Sequence, residues 1–351
     1  MRRRKLKFKW VKGGVAGLAL LILAGLVFPT WTPRIQGENS ISELKKVKIN
    51  GDQQEVMIRG KNRRNPVLLF VHGGPACSEI PYVRKYQDLL EQNFTIVHYD
   101  QRGSGKSYHF FEDYSSVTTD ELVDDLLTLT DYVKIELNQP KVLLVGHSFG
   151  TYIAMKAAAK APERFYAYIG IGQVADTIES ELDNLDFVIE EAKKAGHEKE
   201  AEKLERLRDP IRTEGVIAPR DKVRKYGGAS RLIKDQMDYV KGFLFSPEYN
   251  LMDTLRFARG VAATSDRLLE EEAHHNLPGL VKQLDIPVYF VMGKYDHMTS
   301  AKVARAYYDT LTAPEKEFIL FDQSAHYPQF EEKETFAEWL NETWEELRDR
   351  T

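Results

Sequence analysis

Val142-Leu143-Leu144-Val145-Gly146-His147-Ser148-Phe149-Gly150-Thr151-Tyr152-Ile153-Ala154 is the stretch on which the fold turns. Its first four residues form an apolar run that predicts a buried strand. The alanine-rich continuation to Ala159 predicts a helix. Between them lies Gly146-His147-Ser148-Phe149-Gly150, a Gly-x-Ser-x-Gly pattern in strand–turn–helix context. That context holds a serine in a tight turn with its hydroxyl over the edge of a sheet. The flanking glycines leave room for the turn and for close strand–helix packing. Ser148 is therefore the candidate nucleophile of a serine hydrolase; a structural turn serine is the plainer alternative.

Working outward, Pro66–Val71, Thr95–Tyr99, Val142–Val145, Tyr166–Ile171, Ile286–Met292 and Phe318–Phe321 read as strands. Helical segments separate most of them, Thr119–Leu137 the clearest, so an α/β fold with a mainly parallel sheet is expected. Lys46–Arg59 alternates around Asn50-Gly51-Asp52, a hairpin signal. Between Gln173 and about Leu284 the alternation stops. Ile178–Ala195, His197–Arg208 and Ala229–Phe243 read as charged amphipathic helices, too long a stretch for a loop. The division expected is a basic end and anchor (1–33), a linker (34–46), a core in two parts (47–172 and 285–351), and a helical cap (173–284). A separately folded domain is the alternative for the insertion.

The chain has 351 residues and a formal charge of −4. Seven basic residues and no acid lie in residues 1–12. Without those seven, 42 of the 49 basic residues face 53 acidic ones. With no basic stripe and no zinc or RNA-binding signature, a nucleic-acid partner is excluded. Cys77 is the single cysteine, so no intrachain disulfide forms. Gly13 to Pro33 carries no charge, and 21 residues of helix would span roughly 30 Å, the bilayer core. Trp10 and Trp31 flank it, and Pro29 can end it. The expectation is a single-pass anchor with the basic end cytoplasmic and the remainder extracytoplasmic. Secretion after signal cleavage is the alternative, although no Ala-x-Ala site follows Phe28.

A serine hydroxyl needs a base to take its proton, and the base needs a carboxylate to orient it. On this kind of sheet the chain order is Ser, acid, His. Asp296 follows the strand ending at Met292, and His326 follows Phe318–Phe321. Asp322 is the reserve acid; His297, His274 and His275 are the competing histidines. The oxyanion hole calls for two backbone N–H groups, assigned to Phe149 and Gly74. Gly74 lies in His72-Gly73-Gly74-Pro75, after Val71. His72, Gly73 and Pro75 are read as support for that loop, with Asp100 and Arg102 pairing to brace it. Asp100-Gln101-Arg102-Gly103-Ser104-Gly105 lacks the third glycine of a dinucleotide loop and the ending of a P-loop. No metal or organic cofactor is called for.

Together these segments resemble the α/β-hydrolase superfamily, and within it the proline iminopeptidase-like serine hydrolases (peptidase family S33-like). His72-Gly73-Gly74-Pro75, Asp100 to Gly105, Gly146 to Gly150, Gly293-Lys294-Tyr295-Asp296 and Ala325-His326 carry the resemblance, over roughly residues 45–175 and 280–345. It implies the α/β-hydrolase fold, a Ser148–Asp296–His326 triad, and an aminopeptidase acting on short peptides or another small-molecule substrate. The departures are Ala76-Cys77 after Pro75, where the family usually has glycine, and a cap without tryptophan. Such iminopeptidases bind the substrate's free amine through cap glutamates. The acidic candidates are Glu179, Glu181, Asp183, Asp186, Glu190 and Glu191, with Glu270, Glu271 and Glu272; solvated helix faces are the plainer reading. A carboxylesterase is the alternative activity. A non-catalytic ligand-binding relative is the alternative of another class.

Overall fold

The computed structural model describes residues 23–350. Strands β1 (Ile41–Ile49), β2 (Asp52–Gly60), β3 (Val67–Val71), β4 (Thr95–Tyr99), β5 (Val142–His147), β6 (Phe165–Ile171), β7 (Val288–Gly293) and β8 (Lys316–Phe321) form one sheet. Their order is β1-β2-β4-β3-β5-β6-β7-β8. β1 and β2 are antiparallel to each other, and β2 is antiparallel to β4. From β4 to β8 every pairing is parallel. The β1–β2 hairpin pairs Ile49 with Asp52, and Asn50 and Gly51 both take positive φ, as a tight two-residue turn requires.

Besides one-turn helices at Ile80–Val83, Leu90–Asn93 and Pro328–Glu331, the helices in chain order are α1 (Thr119–Leu137) and α2 (Phe149–Lys160), then α3 (Thr177–Lys194), α4 (Glu198–Glu205), α5 (Arg208–Glu214), α6 (Arg220–Lys225), α7 (Asp235–Phe245), α8 (Leu251–His274) and α9 (Leu277–Leu280) between β6 and β7, and finally α10 (Ala301–Thr310) and α11 (Lys333–Arg350). Thr118 caps α1 by accepting the Glu121 N–H, and Asn138 closes it in the left-handed conformation. The two faces of the sheet follow the period of two. Leu69, Val71 and Leu144 pack with α1 and α2, whereas Leu68, Phe70, Leu143 and Val145 pack with Phe336 and Leu340 of α11. Each such side chain contributes roughly 1.5–3 kcal/mol by leaving water. A separate apolar cluster built on Leu185, Val188 and Leu204 holds α3 to α4 and the segment after it.

Three expectations change. Half of the expected linker is strand, because β1 begins at Ile41. The predicted helix His197–Arg208 is α4 and ends at Glu205, with α5 starting at Arg208, and Ala229–Phe243 starts only at Asp235. The long helix α8 buries Asp253, Gly260, Thr264, Leu268 and Glu272, a face with only one large apolar side chain. A Cβ on Gly260 would stand 2.3 Å from the Gly103 oxygen, so the glycine lets α8 lie directly on that loop. An Asn250–Asp253 capping box starts it.

Among the described residues no helix is long and apolar enough to cross a membrane. The first ten residues of the expected span, 13–22, lie outside the described residues. Its last part is helix from residue 23 to residue 27, and the chain from Phe28 to Pro33 is bound to the body. Asn250 Nδ2 donates to the Phe28 carbonyl, Trp31 N–H donates to the Pro247 carbonyl, and the Thr32 hydroxyl donates to Glu248.

Candidate active site

The chain winds outward from β3 in one direction to β4 and then returns past it to β5. The carboxyl ends of β3 and β5 therefore flank a topological switch point, where an open α/β sheet leaves a crevice. Ser148 leaves β5 with φ 54° and ψ −130°, outside the ordinary regions for a side-chain-bearing residue. The turn is held because Ser148 N–H donates to Ile171 O at 2.9 Å and the Thr151 hydroxyl donates to Ser148 O at 2.6 Å. A Cβ on Gly150 would lie 2.0 Å from Val71 O, and one on Gly73 would lie 2.7 Å from the Ser148 Cβ. Those glycines are what allow helix α2, the β3 loop and the serine to meet.

His326 is buried, and its Nδ1 lies 2.9 Å from Asp296 Oδ2. The other Asp296 oxygen accepts the N–H groups of Met298 and Thr299 at 2.9 and 3.0 Å. Burial opposes the charge on Asp296, but His326 and those N–H groups outweigh it and hold the carboxyl below its usual range. Ser148 and His326 line one cavity of about 680 Å³, without a direct hydrogen bond between them. Gly74 and Phe149 line the same cavity, and neither of their N–H groups has a partner among the described residues.

None of the alternatives pairs with His326 or Ser148, although His274 also lines the cavity. Asp322 is exposed and pairs with Lys294. His297 stacks on Phe187 of α3 at 3.7 Å. His274 and His275 are exposed, with each Nδ1 against a carbonyl of their own helix. Cys77 lines the cavity, but burial pushes its thiol up to about 11, so little thiolate forms.

The expected Asp100–Arg102 pairing is corrected. Arg102 turns to Asp125 of α1 with two bonds of 2.8 and 2.9 Å. Asp100 accepts Lys106 N–H at 2.7 Å and the Tyr249 hydroxyl at 2.5 Å, which joins the core to the segment before α8. The loop after β3 is braced instead by Gln101, whose side chain donates to His72 O at 2.8 Å. His72 Nδ1 lies 3.0 Å from Gly73 O, and its Nε2 receives Gln101 N–H at 3.2 Å. Burial holds the His72 ring neutral. Gln101 was a neighbour of the residues singled out in the sequence, but nothing in its type distinguished it.

Of the acidic candidates, most are solvent-facing or structural: Asp186 pairs with Arg208, Glu190 and Glu191 with Lys194, and Glu271 accepts Thr119 N–H. Glu181, Glu270 and Glu272 line the cavity. Glu181 is buried on Arg220 and the Ala218 N–H. Glu272 is 5 % exposed, and among the described residues its carboxyl has one hydrogen bond, 3.5 Å long, from the Thr177 hydroxyl. Burial, and then the nearby Glu181 charge, push Glu272 up to about 8.

Residues 62–333 match the family described as serine aminopeptidase, S33. The chain is 32% identical over 319 residues to the probable aminopeptidase YbaC of Bacillus subtilis (strain 168), covering 88% of this chain and 98% of that one. In fold it is similar to a proline iminopeptidase of Mycobacterium smegmatis, with a TM-score of 0.63 at 14% identity over 87% of this chain and 98% of that one. An esterase of Exiguobacterium antarcticum gives 0.56 at 17% identity, over 85% and 98%. The chain belongs to the serine aminopeptidase S33 family of α/β-hydrolases, and it is a hydrolase.

Proposed function

We propose that this S33 hydrolase is an aminopeptidase that releases an amino-terminal residue from short peptides through an acyl-enzyme on Ser148. The Ser148 oxygen attacks the carbonyl carbon and its proton passes to His326 Nε2. Asp296 stabilises the imidazolium through Nδ1. The N–H groups of Gly74 and Phe149 receive the oxyanion. Collapse breaks the C–N bond, and the departing amine takes the proton from His326. Water then attacks the acyl carbon, His326 takes its proton, and Ser148 is released with that proton returned.

The observation that carries the peptidase reading is the carboxylate end of the cavity. Glu272 lies buried in the same cavity as Ser148, with a single long hydrogen bond and Glu181 close by. A desolvated carboxyl with spare acceptor capacity suits the ammonium group of a peptide, whose positive charge beside it favours the ionised form of Glu272. A second reading, a carboxylesterase, is favoured by Val174, Val216, Ile217 and Leu269, which line the same cavity. The deciding measurement is hydrolysis of a prolyl amide, its N-acetylated form and a short nitrophenyl ester, with Ser148→Ala alongside. Serine-dependent cleavage restricted to the free-amine amide supports the aminopeptidase. Equal cleavage of the blocked amide, or ester cleavage alone, removes it.

The apolar segment before Phe28 belongs to this proposal as a membrane tether, with the enzyme on the side opposite the basic end. The seven basic residues preceding it support that orientation. Recovery of the full chain in the soluble fraction, with its amino terminus intact, would remove the tether.

A further inference from the structure

The residue between Gly146 and Ser148 is a histidine, and its ring is flanked by two oxygens. His147 Nδ1 lies 2.6 Å from Glu79 Oε1, and His147 Nε2 lies 3.1 Å from the carbonyl oxygen of His326. Glu79 and His147 are 2 % and 4 % exposed, and both line the cavity that holds Ser148. A neutral imidazole has one N–H and one lone pair. With a carboxylate and a carbonyl at its two nitrogens, a neutral ring would set a lone pair against an oxygen. With Glu79 ionised, as its neighbours favour, only a ring carrying a proton on each nitrogen makes both contacts attractive.

We infer that Glu79 and His147 form a buried carboxylate–imidazolium pair that positions the general base. Glu79 follows the oxyanion loop, His147 precedes the nucleophile, and the carbonyl that His147 holds belongs to His326. The pair therefore ties together the three loops that converge on the substrate. The inference rests on the proposed roles of Ser148 and His326.

The surroundings agree. Burial opposes the charge on both groups. Each nevertheless keeps its charge through the other: His147 is raised above the ordinary histidine range and Glu79 is lowered below the ordinary carboxyl range. His98, whose Nδ1 is 3.9 Å from Glu79 Oε2, competes poorly: its Nε2 is turned to Gln87, and burial lowers it to about 4. The His147 ring stands 5.0 Å from the His326 ring and 5.2 Å from Tyr327, so a shift of His147 is felt by the base directly. Neither residue reaches a substrate atom in this role; they act through His326.

The test is Glu79→Gln in the full chain, which keeps the shape and removes the charge. The ring then loses its reason to hold a second proton, and the His326 carbonyl is released. The expected result is a fall in kcat of roughly 10²-fold, with KM within about two-fold and slower labelling of Ser148 by a fluorophosphonate. Wild-type kcat in Glu79→Gln, with Ser148→Ala inactive, overturns the inference alone. Activity in Ser148→Ala overturns the reading beneath it. The second measurement needs no substitution: in 15N-histidine-labelled protein, the His147 ring, assigned by its contacts with Phe330 as well as Tyr327, should show both nitrogens protonated at pH 7. A neutral ring overturns the pair even if Glu79→Gln fails to fold.

Discussion

Asp296 meets His326 Nδ1 at 2.9 Å with one oxygen while two backbone N–H groups hold the other. The carboxylate is therefore oriented by its own loop before it orients the histidine. This geometry favours Asp296 over Asp322, four residues before His326, as the carboxylate of the proposed triad. Asp296→Asn should lower kcat by about 10⁴-fold, because the amide favours the wrong ring tautomer. Asp322→Asn should retain kcat within two-fold. The reverse ranking in steady-state kinetics would transfer the acid to Asp322.

The meeting of β3, β5 and α2 predicts a steep cost at one glycine. In Gly150→Ala the new Cβ would overlap the backbone oxygen of Val71, which cannot swing away. The loss should reach about 3 kcal/mol, the upper end for overpacking. Gly196→Ala, with nothing within 4 Å and φ +73°, should cost only about 1 kcal/mol of backbone strain. Urea unfolding midpoints compare them, and equal shifts would contradict the packing argument.

Glu272 ties stability to specificity. Its carboxyl is pushed up to about 8 in the folded protein. Between the ordinary carboxyl range and that value, the folded state holds a proton that the unfolded state has lost. Stability contributed by this group therefore falls as pH rises from about 4.5 to about 8. Glu272→Gln should be more stable than wild type at pH 8, by roughly 2–4 kcal/mol, and should converge with it below pH 4.5. The same variant should lose the preference for a free amine over its N-acetylated form. Parallel stability curves across that range would reject the assignment.

Arg102 and Gln101 separate folding from catalysis. Arg102→Ala leaves Asp125 without its guanidinium, although Gln54 and Asn50 still donate to it. It should cost about 2–3 kcal/mol of stability with kcat little changed. Gln101→Ala releases His72 O and the oxyanion loop, and should lower kcat roughly ten-fold with a smaller effect on unfolding. Identical effects of both on kcat would remove the distinction.

The chain should be shortened before Phe28 and not after Pro33. A protein beginning at Arg34 loses the Thr32 bonds to Glu248 and Arg59 and leaves those groups buried. It should be less stable than one beginning at Phe28 by about 2 kcal/mol, read from thermal or urea unfolding. Equal stability would make the Phe28–Pro33 contacts dispensable.

The strands and the nucleophile turn were legible in the amino-acid sequence because their physics is local. Val142–Val145 is apolar without interruption, Gly146 and Gly150 bracket Ser148, and the Asn50-Gly51 turn needs only its own dihedrals. The order Ser148, Asp296, His326 followed from where parallel strands end. Helix α8 was not legible, since Gly260 weakens its local propensity and its reason is a contact with Gly103, 157 positions earlier.

By itself, the sequence determined the α/β alternation, the elbow at Ser148 and the family that these motifs mark. Only the tertiary structure decided which carboxylate faces His326, that Arg102 turns to Asp125 and leaves Gln101 to hold the oxyanion loop, and which cap glutamates reach the cavity. It also placed Glu79 against His147. The reason is that hydrogen-bond partners and desolvation depend on distances between residues far apart in the chain. No periodicity or local motif records those distances.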